Sequence, residues 1–326
     1  MALQHNRRSV PFKTMQGGQS AMESTRAGQS GRTGWRMVYS SLLSIVPVSF
    51  VLLSLCRADA APAAGDAPRC VKVFDATFFE SKPDLGAYGM LPIRLAVSLH
   101  WWPDRTKTNQ LPARDDVTSW VAGLKDKRLP LVVDLEHWPQ QGPDAEIADV
   151  VGKYQTLTAW IRAAGYEGPV GFYGIPPIRD YWRAIDVEGS PAHEKWVAQN
   201  DQWTALADSV DMLLPSLYTF YEDMGGWEAY AVANLREARR LAGSKPVYAF
   251  LWPQFHISNR KLAFDYLSQS MWSQQLEIAA RYADGLVIWG GSDPRRPRNV
   301  ALWDSEAGWW RATQDFLTEN DRRCHQ

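Results

Sequence analysis

Short apolar runs alternate with longer amphipathic stretches from Cys70 to the end of the chain. Runs of mostly apolar residues with β-branched enrichment predict strands at 71–75, 94–99, 131–135, 170–173, 212–215, 247–251 and 286–289. Between them, apolar residues recur at helical spacing over 115–127, 144–164, 194–209, 227–242, 264–282 and 305–318. Gly165, Gly243 and Gly285 fall where those helical patterns stop, as expected of C-terminal glycine caps. Strands separated by helices, with no tandem repeat, predict an α/β fold: an irregular (β/α) barrel of seven or eight parallel strands, TIM-barrel-like.

The first 60 residues do not share this pattern. Residues 1–36 are rich in Ser, Gly, Gln and Arg, and 38–55 form a nearly unbroken apolar run followed by Ala58-Asp59-Ala60, a small-x-small cleavage pattern. Residues 1–60 therefore read as an N-terminal extension with an export signal, or alternatively as a membrane anchor through 38–55, since about 18 residues is the lower limit for a span. Leu55 before Cys56 is too large for a lipoprotein cleavage site, and Arg7-Arg8 lies far from the apolar run for a twin-arginine signal. Residues 61–69 read as a small-residue linker and 70–326 as a single catalytic barrel. Secretion, or export to a periplasm, is the expected localisation.

Composition narrows the chemistry. Seven of the 35 Lys and Arg and two of the 36 Asp and Glu lie in the first 60 residues, so the remainder carries 28 against 34 and a formal charge of −6. That balance excludes a general nucleic-acid binder. No Gly-x-Gly-x-x-Gly follows a strand and no Walker loop is present, so no nucleotide cofactor is expected. The six histidines are scattered, with no His-Glu-x-x-His, and no metal is expected either. Two of the three cysteines, Cys70 and Cys324, stand at the two ends of the domain. They are either a disulfide fastening the termini or two unpaired thiols.

Active sites of α/β barrels lie at the carboxyl ends of the strands. Each such end here delivers an aromatic residue: Trp138 after the third strand, Tyr173 at the fourth, Tyr218 after the fifth, Trp252 after the sixth and Trp289 at the seventh. The third also delivers two acids, Asp134 and Glu136, within Asp134-Leu135-Glu136-His137-Trp138-Pro139. Strand side chains at i and i+2 share a face, so the two carboxylates stand side by side while His137 turns away to pack or hydrogen-bond. Ion pairing with a barrel arginine such as Arg94 is the purely structural alternative.

Trp and Tyr rims suit sugar rings, whose C–H faces stack while their hydroxyls hydrogen-bond. Fifteen of the 16 tryptophans belong to the domain, and those at helical positions, Trp160, Trp196 and Trp203, are expected to pack the core. Two acids on one strand approach a glycosidic bond from the same side, which does not fit a two-carboxylate mechanism. They fit substrate assistance, with Glu136 as acid and then base, kept protonated by its neighbour Asp134, which orients an attacking acetamido group.

Five segments in order resemble the hyaluronidase family, glycoside hydrolase family 56. Asp134-Leu135-Glu136-His137-Trp138-Pro139 is similar to its Asp-x-Glu-x-Trp-Arg-Pro, and Gly171-Phe172-Tyr173-Gly174-Ile175-Pro176 to its Tyr-Gly-Phe-Pro segment. Pro215-Ser216-Leu217-Tyr218 is similar to Pro-Ser-Ile-Tyr, Pro246-Val247-Tyr248-Ala249 to the next strand, and Gly285-Leu286-Val287-Ile288-Trp289-Gly290 to Gly-Val-Val-Ile-Trp-Gly. The resemblance implies a divergent member: an irregular barrel that cleaves internal β-N-acetylhexosaminide bonds of a glycosaminoglycan-like polysaccharide, with retention and without metal. It implies Glu136 as acid/base, Asp134 as its acetamido-orienting partner, Tyr173 and Tyr218 positioning the sugar, and Trp289 walling the acetamido pocket. It also implies that Cys70 and Cys324 form a disulfide tying the domain ends together. Departures are the missing Arg between Trp138 and Pro139, Pro177 in place of an acid, and the absence of other family cysteines and of an epidermal-growth-factor-like module. Arg295, Arg296 and Arg298 offer the one obvious basic rim for a polyanion.

Two rival expectations remain at this level. One is a glycosidase acting on sugars without an acetamido group, with Glu222 or Asp223 as nucleophile. The other is a barrel that binds glycans in its aromatic groove without cleaving them.

Overall fold

The computed structural model describes residues 68–326 apart from 103, 105 and 107. The expected signal or anchor at 38–55, and the linker up to residue 67, lie outside the described residues. Among the described residues seven strands are formed: β1 (Lys72–Thr77), β2 (Leu91–Pro92), β3 (Arg94–Val97), β4 (Leu131–Asp134), β5 (Val170–Phe172), β6 (Tyr248–Leu251) and β7 (Gly285–Gly290). The helices are α1 (Arg114–Ala122), α2 (Asp144–Ala163), α3 (Pro191–Asp201), α4 (Thr204–Ser209), α5 (Met224–Ala242), α6 (Gln269–Tyr282) and α7 (Gly308–Cys324).

All strand ladders are parallel, and the pairings follow one another round a ring. β2 pairs with β1 and β3 pairs with β4, and only Ile93 separates β2 from β3, so residues 91–97 bridge the two sheets. β4 pairs with β5, and Tyr173 bridges to Leu214; Leu213 and Ser216 bridge to Val247 and Phe250, beside β6. β6 pairs with β7, and β7 returns to β1 over its full length. The expected fifth strand at 212–215 is therefore present as a run of isolated bridges rather than a ladder strand. Pro215 has no N–H to give; its carbonyl still accepts from the Phe250 amide at 2.9 Å.

Side-chain parity sorts two packed layers. Phe74, Ala76, Val132, Met212, Leu214, Phe250 and Val287 fill the barrel interior, whereas their strand neighbours Val73, Leu131, Val133, Ala249, Leu286 and Ile288 pack outward on the helices. Trp196 and Trp203 are buried in the helical layer and Trp160 packs against it, as their helical positions predicted.

Several boundaries differ from the periodic pattern. The helix expected over 194–209 breaks at Trp203 into α3 and α4. The one expected from Phe264 starts at Gln269, where the Ser268 side chain accepts from the Met271 amide as an N-cap. Gly165 (φ +81°) follows α2 in the left-handed region as a cap requires. Gly285 does not cap α6; it opens β7, where a Cβ would meet the Lys72 carbonyl and the Tyr248 ring, each at 2.8 Å. That glycine answers to close strand approach rather than to helix termination.

The domain ends are fastened twice. Cys70 and Cys324 form a disulfide across 254 residues of sequence, and the buried Asn320 amide on α7 accepts from the Val71 N–H at 3.0 Å while donating to the Val71 carbonyl at 2.9 Å. Closing so long a loop stabilises by about 5 kcal/mol in the chain-entropy description, and native disulfides are worth roughly 2–5 kcal/mol. Paired Cys70→Ser and Cys324→Ser substitutions should lower Tm by roughly 5–15 °C. Calorimetry with and without a thiol reductant measures this; a Tm insensitive to both the substitutions and the reductant would contradict the assigned clamp.

Candidate active site

The carboxyl mouth of the barrel is built around the turn that follows β4. Val132 and Asp134 share the interior face, and the chain leaves the strand at Leu135, whose carbonyl accepts from Tyr154 Oη on α2 at 3.0 Å. This tether fixes the turn that carries Glu136. Arg94, the partner named for the purely structural alternative, turns outward and donates to the Asp126 carbonyl at 3.3 Å.

Glu136, Tyr173, Arg179, Tyr218, Trp252, His256, Ile257, Phe264 and Trp289 line one cavity of about 40 Å³. That volume holds a few water molecules and less than a sugar ring. The aromatic lining is mutually packed. The Tyr218 and Trp289 rings stack with centroids 5.8 Å apart at 25°, and Trp252 meets Trp289 edge-on at 4.9 Å. Trp252 Nε1 donates to Gln254 Oε1 at 2.9 Å, and the Gln254 amide donates to the Phe264 and Ser292 carbonyls, so this wall is held by a buried polar hub. Tyr173 Oη and Ser216 Oγ lie 2.9 Å apart, and Arg179 Nη1 donates to the same Ser216 Oγ at 3.4 Å. Arg179 also lies 5.4 Å above the Phe220 ring.

Electrostatics at the mouth follow from this burial. Loss of water pushes the Asp134 carboxyl well above the usual carboxylate range, and the neighbouring Glu136 charge pushes it further. Glu136 is also raised by burial, but the Arg179 guanidinium opposes that rise. Burial likewise raises the Tyr173 and Tyr218 hydroxyls, keeping them protonated as hydrogen-bond donors. His256 is lowered to about 3 by burial and then by Arg179, so its imidazole is neutral across the physiological range.

The sequence-derived candidates separate into two groups. Glu136, Tyr173, Tyr218, Trp252 and Trp289 meet at the cavity, and Asp134 feels the Glu136 charge from the barrel interior. Trp138 does not line it: its indole is buried, donates to the Thr108 carbonyl at 2.8 Å and packs edge-on against Trp102 and Tyr154. His137 packs beside it, lowered to about 4 by burial. Glu222 pairs with Lys261 at 3.7 Å on the surface, and neither it nor Asp223 lines the cavity. Arg295 and Arg296 line a separate, larger cavity with Phe79, Tyr266 and Trp309. Among the described residues no cluster of three or more His, Cys, Asp or Glu could hold a metal ion.

Arg179 and His256 are the site residues that sequence reading missed. Both lie in loops beyond strand ends, seven and five residues after β5 and β6, where no periodic pattern reaches. Pro176-Pro177 just before Arg179 was the available signal that this loop is sharply shaped.

The class defined here is a TIM-barrel-like α/β fold with a carboxylate pair at its carboxyl mouth. No protein-family model matches the chain, and no curated protein matches it by sequence. Among solved structures it is similar to bee venom hyaluronidase, at 15% identity and a TM-score of 0.50, over 77% of this chain and 97% of that one. It is similarly related to bee venom hyaluronidase in complex with hyaluronic acid tetramer, at 14% identity and TM-score 0.51 over 77% and 96%. An endo-β-1,4-mannanase double mutant from Cellulomonas fimi aligns at 13% identity and TM-score 0.45, over 72% and 55%. At these identities the likeness is one of fold.

The raised carboxyls make a stability prediction. The native state keeps protons on Asp134 and Glu136 at pH values where the unfolded chain has released them, so their contribution falls as pH rises above about 4 and is constant below it. Asp134→Asn removes the larger part of that loss. The variant should be more stable than the parent at pH 7, with the difference vanishing near pH 4, as read by urea unfolding at both pH values; equal stability at pH 7 would contradict the raised Asp134.

Proposed function

We propose that the protein is a glycoside hydrolase acting on internal β-N-acetylhexosaminide bonds of a glycosaminoglycan-like polysaccharide by substrate-assisted, retaining hydrolysis. The observation that carries this reading is that the cavity is lined by a single carboxylate, Glu136, backed by Asp134 and walled by Tyr and Trp. No opposing carboxylate lines it to serve as a nucleophile, so the attacking atom must come from the sugar.

In this mechanism Glu136 gives its proton to the glycosidic oxygen as the C1–O bond breaks. The acetamido carbonyl oxygen of the same sugar bonds to C1 from the opposite face, and Asp134 accepts from the acetamido N–H as positive charge develops there. Glu136, now ionised, takes a proton from water; the water oxygen bonds to C1, the acetamido oxygen leaves, and the original configuration returns. Tyr173 and Tyr218, kept protonated by burial, supply hydrogen bonds to the reacting sugar. The stacked Tyr218 and Trp289 rings offer a flat face to the acetamido methyl. Arg179 stabilises ionised Glu136 in the second half of the reaction, while Asp134 holds the charge of that half down to a single carboxylate.

The likeness of fold to a hyaluronidase solved with a hyaluronic acid tetramer supports the choice of polymer class. The disulfide supports residence in an oxidising compartment and hence export. Among the described residues no helix is long and apolar enough to cross a membrane.

Glu136→Gln should lower kcat by about 10²–10⁴ or more, with a thermal melt no lower than the parent's. The assay is release of new reducing ends from hyaluronan, chondroitin, chitin oligomers and peptidoglycan strands. A thiazoline inhibitor that mimics the internally attacked sugar should bind the parent tightly and Asp134→Ala, which lacks the acceptor for the acetamido N–H, weakly. Unaltered turnover by Glu136→Gln would refute the assignment, and tight polysaccharide binding with no cleavage across the panel would make this a glycan-binding barrel.

A further inference from the structure

An aromatic surface that the catalytic scheme leaves unused extends from the cavity on the same face of the barrel. Trp182 is 63% exposed and Tyr221 42%, whereas the other tryptophans among the described residues are buried or half-buried. Single exposed rings are common on protein surfaces, whereas adjoining ones mark sites of interaction.

The two rings are not loosely displayed. Tyr181 stands between them, its centroid 4.9 Å from Trp182 and 5.0 Å from Tyr221, and it stacks on Tyr230 of α5 at 5.1 Å and 26°. Trp182 and Tyr221 are themselves 5.6 Å apart. Gly226 on α5 makes room for this anchor, since a Cβ there would meet Tyr181 Oη at 2.3 Å. The Arg183–Asp180 ion pair at 2.7 Å and the Arg183 bond to Gln199 Oε1 at 2.6 Å brace the segment from below. A rigid aromatic face loses little freedom when a ligand settles on it.

The surface is continuous with the cavity. Tyr221 neighbours Phe220 at 6.5 Å, and Phe220 lies 4.9 Å from His256 and beneath Arg179, both of which line the cavity. Of the flanking charges, Asp180 pairs with Arg183 and Glu222 with Lys261, while Asp223 faces the Tyr181 hydroxyl beside Gly226 at the edge of the surface. What is offered outward is therefore flat and apolar with polar edges, the complement of the C–H face of a pyranose.

We propose that Trp182 and Tyr221 form a platform that stacks sugar rings of the polysaccharide distal to the bond being cleaved, making long chains better substrates than short ones. This rests on the hydrolase reading above and adds the residues that select for chain length. The platform touches no reacting atom, so its contribution is binding shared by ground and transition states.

The test compares the parent with Trp182→Ala, Tyr221→Ala, the double variant and Trp182→Phe, on hyaluronan polymer and on hyaluronan and chitin oligomers of increasing length. For the double variant, kcat/KM on polymer should fall about tenfold through KM with kcat held. The loss should shrink with chain length and vanish for oligomers too short to reach the platform, and Trp182→Phe should recover most of it. Equal loss at every length, or no loss on polymer, would overturn the platform while leaving the hydrolase reading intact. If the parent cleaves nothing, that reading fails, and the platform is judged by binding of the same polymer: weaker binding to the double variant sustains it, and equal or absent binding overturns it. A change confined to self-association in sedimentation would make the surface a contact between copies, and would also overturn it.

Discussion

The constraint on which this structure turns is the cost of holding two carboxyls, Asp134 and Glu136, out of water within reach of each other. Neither pairs with Arg94, and the cation that does face Glu136, Arg179, is shared with Ser216 and the Phe220 ring. A buried pair without a dedicated counter-ion holds its protons to higher pH than free carboxyls do. That arrangement weakens the fold near neutrality and leaves a proton where a glycosidic oxygen could take it.

The opposite end of the barrel shows what the same residue types do when stability is the task. Asp211 accepts from the Val170 N–H at 2.8 Å while the Arg162 guanidinium pairs with it, and Asp284 accepts from the Val247 N–H at 2.8 Å while Arg239 pairs with it. Each acid there tethers the start of a strand and has a partner arginine from a preceding helix. One fold thus carries paired carboxylates at the amino ends of β5 and β6 and a desolvated pair at the carboxyl end of β4.

The walls of the site obey the same logic of support. Tyr154, Tyr230 and Trp227 reach up from the helices to the Leu135, Ser216 and Leu217 carbonyls, at 3.0, 2.7 and 3.1 Å, fixing the loops that present Glu136 and Tyr218. Helical aromatics with one polar edge therefore do two jobs, filling the outer layer and satisfying backbone that a tight turn leaves unpaired. Much of the tryptophan and tyrosine content is accounted for by this support, and only a minority of the rings face the cavity.

The sequence alone determined the barrel class and the strand end that carries the acids, because an apolar run ending in charge is a local property of the chain; β4 stops at Asp134, so it is the turn after it, and not strand alternation, that sets Glu136 in the cavity. The sequence also marked Tyr173, Tyr218, Trp252 and Trp289 as strand-end rings. It did not reveal that Trp138 turns into the packing with Trp102, that Gly285 serves strand approach, or that residues 194–209 break at Trp203. Those outcomes depend on neighbours distant in sequence, such as Thr108, Lys72 and Gln140. Arg179, His256 and the Trp182–Tyr221 surface likewise became visible only in three dimensions. Loop residues have no periodicity to read, and whether a ring is buried or left open is decided by how separate loops meet over the barrel mouth.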